Sequence, residues 1–244
     1  MAALMRLENV SLQRGGNTLL CGLNCEIQAG EITVVLGPNG AGKSSLLLGL
    51  AGLIPASGQI VLQEKPLAGY GRSELTRRIA WQGELPPTEF GLSVRQRLVL
   101  AAGEDAETLE STATTMDIAP LLQRPLGELS SGERQRVELA ALMLRDAPVW
   151  LLDEPTAHLD LKHQIHCIKM MKAERSRGRA IVTVLHDIQQ AMAVADKLIL
   201  IDGTGGAEYG EAKALFASAK LSQLFDAPVI KEGAVLVPDY GERA

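Results

Sequence analysis

Eight residues, Gly37, Pro38, Asn39, Gly40, Ala41, Gly42, Lys43 and Ser44, fit the spacing G-x-x-x-x-G-K-[ST], and Ser45 follows them. Phosphate is the chemistry that such a run suits. Its glycines let a loop curl so that N–H groups point inward at an anion. A helix beginning near Lys43 adds its positive end. Lys43 is placed to reach the β- and γ-phosphates of a nucleotide, and Ser44 to offer a hydroxyl to Mg²⁺. Further along, VWLLDEP (Val149 to Pro155) reads as an apolar strand delivering two acids to a sheet edge. Asp153 is expected to hold Mg²⁺ through water, and Glu154 to polarise an attacking water. A second apolar strand, AIVTVLHD, brings His186 to the same edge, where it can contact the γ-phosphate. Gln82, ending IAWQ, is a neutral ligand that could touch Mg²⁺ or the water.

A second anion-binding start lies in LSSGERQ, Leu129 to Gln135. Ser130, Ser131, Gly132 and Glu133 have the S-x-x-E form of a capping box, and locally a well-capped helix is sufficient explanation. The same start also offers N–H groups, a hydroxyl and a close-approach glycine. One phosphate cradle already exists around Lys43, and the capped helix belongs to a different lobe. Two copies facing head to tail would let Ser130 and Gly132 of each close over the partner's γ-phosphate.

The elements that must position these residues alternate. Strand signals (EITVVLG, GQIVLQ, IAWQ, PVWLLDE, RAIVTVLHD, DKLILID) are interleaved with helical runs (KSSLLLGLAGL, RSELTRR, LKHQIHCIKMMKAERS, IQQAMAVA). That order predicts an α/β fold with a mostly parallel sheet. A helical block between about Gly83 and Arg145 looks inserted: a core lobe over 1–82 and 146–244 and a helical lobe over 83–145, in one domain of 244 residues. The net charge of −5 disfavours a nucleic-acid partner. No apolar run approaches the ~20 residues of a bilayer span and the first residues do not suit a signal peptide, so a cytosolic protein is expected. Cys21 and Cys25 fall on one strand, expected on the same face roughly 13 Å apart. His163 and His166, at i and i+3, are read as part of a mixed helix face rather than a metal site.

Taken together, GPNGAGKSS, Gln82, LSSGERQ, VWLLDE, AHLD ending at Asp160, and His186 resemble the ATP-binding cassette (ABC) ATPases along nearly the whole chain. The resemblance implies a P-loop core, an N-terminal antiparallel β subdomain and an inserted helical subdomain. It also implies MgATP sandwiched in a head-to-tail dimer, with Asp160 at the dimer interface and hydrolysis driving an integral membrane permease. Four positions depart from the family pattern: Ser131 replaces a glycine and Glu133 a glutamine, Ser45 replaces a threonine, and Arg14 stands where an aromatic residue stacks on adenine. Arg14 can stack through its guanidinium plane.

The stretches GQIVLQEKPLAGYGRSELTRRIAWQ, LDLKHQIHCIKMM, VTVLHDIQQAMAVADKLILI and KLSQLFDAPVIKEGAVLVP resemble ATPases of importers for iron chelates, haem and cobalamin. That subgroup implies a homodimer on the cytoplasmic face of the membrane, a permease, and indirectly a periplasmic binding protein. The segment Gly83 to Val94, with Phe90 and Leu92 expected exposed, is the candidate permease contact. A soluble ABC ATPase of iron–sulfur cluster assembly uses the same motifs without a permease and is the alternative. A DNA-repair ATPase would split its halves with a long coiled coil, and a P-loop kinase would have no use for LSSGERQ.

Overall fold

The structure is a computed structural model that describes residues 3–83, 85, 91–102 and 105–239. Two long N-terminal strands, β1 (Ala3–Arg14) and β2 (Asn17–Gln28), pair antiparallel; β4 (Ser57–Leu62) and the short β5 (Lys65–Pro66) complete a sheet of order β2-β1-β4-β5. This is the antiparallel subdomain that the resemblance implies.

The central sheet has the order β10-β9-β3-β8-β7-β6. Its members are β3 (Ile32–Leu36), β6 (Ile79–Gln82), β7 (Val149–Asp153), β8 (Ala180–Val184), β9 (Lys197–Ile201) and β10 (Ala207–Glu211). Pairings from β6 through β9 are parallel, and β10 runs antiparallel to β9 at the edge. The inner strands are buried on both faces, which is why they read as continuous apolar runs. Val34 and Leu152 join one hydrophobic cluster, with the helical lobe, while Val35 and Leu151 join the other, with α1 (Lys43–Leu50) and the antiparallel sheet.

Between β6 and β7 lie α3 (Val94–Ala102), α4 (Ala106–Thr115) and α5 (Ser131–Met143). They pack on one another through residues such as Val94, Leu98, Leu109 and Leu139, all buried in the first cluster. Two neighbouring parallel strands are thus joined through the whole helical lobe. The remaining helices are α2 (Arg72–Arg78), α6 (Leu161–Ser176), α7 (Ile188–Val194), α8 (Ala212–Leu215) and α9 (Ser218–Phe225). A terminal hairpin pairs β11 (Val229–Glu232) with β12 (Val235–Pro238).

Two expectations are corrected here. Cys21 and Cys25 face opposite ways: Cys25 is buried and Cys21 exposed. The in-and-out alternation of β2 is interrupted between them, because Val10 pairs with Leu23 and Leu12 with Leu20, so β2 carries one extra residue. The bulge centres on Gly22, whose φ of 68° suits glycine and whose N–H donates to Ser11 Oγ at 2.8 Å. Burial pushes the Cys25 and Cys167 thiols up to about 12, which leaves both inert as nucleophiles. Leu92 is also not exposed; it is partly buried against the first cluster. Phe90 lies outside the described residues.

Candidate nucleotide site

Parallel order delivers candidates from four adjacent strands to the same sheet edge. The loop 37–42 follows β3, His186 follows β8, Asp153 and Glu154 end β7, and Gln82 ends β6. A doubly covered sheet gathers its ligands at that edge.

The loop itself is shaped by glycine. A Cβ on Gly37 would stand 2.1 Å from the Ile201 carbonyl oxygen, so this close approach to β9 excludes any larger residue. Gly42 adopts φ 99° and is the N-cap of α1. Like α2, α8 and α9, α1 has no side-chain cap, unlike the helix start that carries Ser130. In α4, α5, α6 and α7 the first-turn N–H groups are satisfied by the side chains of Asp105, Ser130, Asp160 and Asp187. The start of α1 has no side-chain cap, leaving donors and the dipole's positive end open to an external anion. Above it opens a cleft of about 660 Å³ lined by Arg14, Leu19, Asn39, Gly40, Gly42 and Lys43, continuing over Ser44, Ser45, Glu154 and His186.

Lys43 is buried, and its ammonium donates to the carbonyls of Gly37 and Pro38, both at 2.9 Å. Burial lowers its pKa, and the charges of Glu154 and Asp153 oppose that shift. Ala41 packs inward, so only its backbone is available to a ligand. Glu154 sits at φ 51°, a sparsely occupied region for a side-chain-bearing residue, of the kind stored at functional sites. Its Oε1 lies 2.6 Å from His186 Nε2, and both side chains are nearly half exposed to the cleft. With an ionised carboxylate, Nε2 carries the proton.

Gln82 is buried and is not among the cleft walls. Its Nε2 donates to the Gly83 carbonyl at 2.7 Å, while its Oε1 is buried without a hydrogen-bond partner among the described residues. A buried orphan acceptor calls for a donor or a cation. Gln82 Oε1, the Ser44 hydroxyl and the Asp153 carboxylate are all oxygen donors, the type that suits Mg²⁺.

The serine-rich start is elsewhere. Ser130, Ser131, Gly132, Glu133, Arg136, His158, Leu159, Asp160 and His163 line a separate hollow of about 270 Å³. It has no residue in common with the cleft over Lys43. Ser130 and Glu133 complete a capping box: the Ser130 N–H and hydroxyl each donate to Glu133 Oε2 at 2.8 Å. The hydroxyl expected to meet a partner's phosphate is thus engaged within its own chain. These bonds, the backbone one first, hold the Glu133 carboxyl below its ordinary pKa.

Two residues that sequence reading passed over belong to this region. Gln135, buried on α5, donates to the Pro155 carbonyl at 3.0 Å, joining the helix to the acid-bearing loop. It lies inside LSSGERQ, and its position facing β7 follows only from how α5 packs. Leu19 forms a cleft wall and touches the Gly42 Cβ position at 2.9 Å, a contact made between elements distant in the chain.

Comparison with known proteins now bears on this geometry. The family model described as "ABC transporter" matches residues 20–157. The chain belongs to the ABC transporter family. It is an ATP-binding subunit of such a transporter, and its chemistry is ATP hydrolysis coupled to transport. The hemin import ATP-binding protein HmuV of Streptomyces coelicolor is 35% identical over 238 residues, covering 91% of this chain and 85% of the relative. HmuV of Pseudomonas fluorescens is 34% identical over 258 residues, covering 98% and 97%. In fold, a chain of an ABC transporter described as of the metal-chelate type, in an inward-facing conformation, superposes with a TM-score of 0.83. It covers 98% of each chain at 24% identity. CbiO1 of Clostridium perfringens, part of the ABC transporter complex CbiONQ, superposes with a TM-score of 0.72 at 26% identity, covering 91% and 93%. Among the described residues no helix is long and apolar enough to cross a membrane.

Proposed function

We propose that two copies of this chain bind MgATP head to tail and, through hydrolysis, drive an integral membrane permease that imports haem. One observation carries the two-chain reading: the cleft over Lys43 and the hollow at Ser130 share no residue. The first cleft is open to solvent, and a second chain would cover it with its Ser130, Gly132 and Asp160. The haem reading rests on relatives named as hemin import ATP-binding proteins, alike over almost the full length. Those names favour an importer over the iron–sulfur assembly alternative. By the same reading the subunit works peripherally on the cytoplasmic membrane face, and a periplasmic binding protein supplies the cargo to the permease.

In this mechanism Lys43 leaves the Gly37 and Pro38 carbonyls for the β- and γ-phosphates. The open N–H groups at the start of α1 take phosphate oxygens, and Arg14 stacks on the base. Ser44, Gln82 and Asp153 would hold Mg²⁺, which supplies charge neutralisation on the phosphates. Glu154 accepts a proton from water as the water oxygen bonds to the γ-phosphorus. The bond to the bridging oxygen breaks, leaving ADP and phosphate. His186 orients Glu154 through the 2.6 Å contact and meets the γ-phosphate.

Haem as sole iron source tests the cargo. Deleting the gene should abolish growth on haemin, the intact chain should restore it, and the Glu154→Gln chain should not. Undiminished haemin growth in the deletion strain would refute the haem assignment.

A further inference from the structure

The start of α5 and the loop 154–160 touch in two places and are joined indirectly in a third. A Cβ on Gly132 would stand 2.8 Å from the His158 carbonyl oxygen. Gln135 reaches the Pro155 carbonyl from inside. The third link is on the outer side and runs through Asp117, in the turn after α4, at φ 57°.

Asp117 faces both ways. Its backbone carbonyl accepts from Arg136 of α5, which also donates to the Met116 carbonyl at 3.2 Å. Its carboxylate accepts from Lys162 at 2.8 Å and stands 3.5 Å from His163 Nε2. The other ring nitrogen, Nδ1, is 2.8 Å from Asp160 Oδ1, which also accepts the His163 N–H at 2.9 Å. One imidazole therefore lies between two carboxylates, hydrogen-bonded to Asp160 through Nδ1, while its buried Nε2 faces Asp117 at 3.5 Å with no hydrogen bond among the described residues. Asp117 belongs to the helical lobe; Asp160 ends the loop that begins with Glu154.

We propose that Asp117 and His163 are positioning residues for hydrolysis, tying the start of α5 to the loop 154–160 so that both move as one unit with Glu154. The inference rests on the two-chain reading, because these two segments line the face that would close on the partner's ATP. Stability alone is a poor account of the link. Lys162 and Asp117 are mostly exposed, and exposed ion pairs contribute little to folding. Both carboxylates are held below their ordinary range, Asp117 mainly by Lys162 and Asp160 mainly by the His163 N–H.

The test uses the full chain carrying Asp117→Ala, His163→Ala, both together, or His163→Gln. Steady-state hydrolysis, thermal melting and ATP-dependent dimerisation in a Glu154→Gln background are measured. Each alanine variant should lower kcat about tenfold with KM for ATP within about twofold. Melting should stay within about 3 °C of the parent. The double variant should be no worse than the poorer single, since both break one link. His163→Gln, which keeps a polar group there, should recover part of the loss. A kcat within about twofold of the parent, losses that multiply in the double variant, or a loss that tracks melting would overturn the inference. If the Glu154→Gln parent never dimerises with ATP, the two-chain reading falls and this inference with it. If it dimerises and hydrolysis is indifferent to Asp117→Ala, only this inference falls.

Discussion

Glu154 concentrates the chemistry: a carboxylate at a strand end, in a left-handed backbone conformation, within 2.6 Å of an imidazole. Replacing it by glutamine keeps size and hydrogen bonding but removes the proton acceptor. Glu154→Gln should therefore retain ATP binding while turnover falls about 10²- to 10⁴-fold, read by phosphate release against filter binding. Lys43→Ala acts earlier, because it removes the cation of the phosphate loop; nucleotide affinity itself should drop, measurable by calorimetry with ATP. Asp153, Ser44 and Gln82 share an oxygen-donor character, and the buried Gln82 Oε1 is an acceptor left unsatisfied among the described residues.

At the scale of elements, the contrast between α1 and α5 decides which helix start is ready for a ligand. The start of α1 is uncapped; that of α5 is closed by Ser130 and Glu133. Glu133 is held below its ordinary pKa, so its folded value lies below its unfolded one. Its contribution to stability is complete above the unfolded value, about 4.3, and disappears as pH falls through the folded value. The difference in melting temperature between the parent and Glu133→Ala should accordingly be greatest near neutrality and close in acid below about pH 4. Gly132 tests the fit of α5 against the loop 154–160. Its Cβ would meet backbone, which cannot rotate away, so Gly132→Ala should shift the helix start and depress hydrolysis more than ATP binding.

For the whole molecule, the question is whether two chains complete each other's sites. A Lys43→Ala chain lacks its own phosphate grip but keeps a sound Ser130 face. A Ser130→Arg chain has the reverse defect. Each should be inactive alone. Mixed in equal amounts, half of the pairs combine one of each and contain one intact site, so about a quarter of parental activity should return. No recovery in a mixture shown to form mixed pairs would count against the head-to-tail arrangement.

The phosphate loop, the two acids, Gln82 and His186 could be picked out in the chain as candidates because each pattern is local. A curled glycine run, an apolar strand ending in acids and a capped helix are written in consecutive residues. The alternation of strands and helices likewise foretold the parallel sheet, because doubly buried strands must be continuously apolar. The short strands β5 and β10 were not foreseen: Lys65–Pro66 is only two residues long, and Ala207–Glu211 is polar along an edge. Nor was the face of Cys21, which turns on a single inserted residue at Gly22 whose effect depends on the register with β1. Strand order, which sets His186 beside Glu154, and the docking of α5, which brings Gln135 to Pro155 and Asp117 to His163, belong to tertiary structure alone. Those contacts join residues far apart in the chain. Only the packing of complete sheets and helices, which no local pattern encodes, brings them within hydrogen-bonding reach.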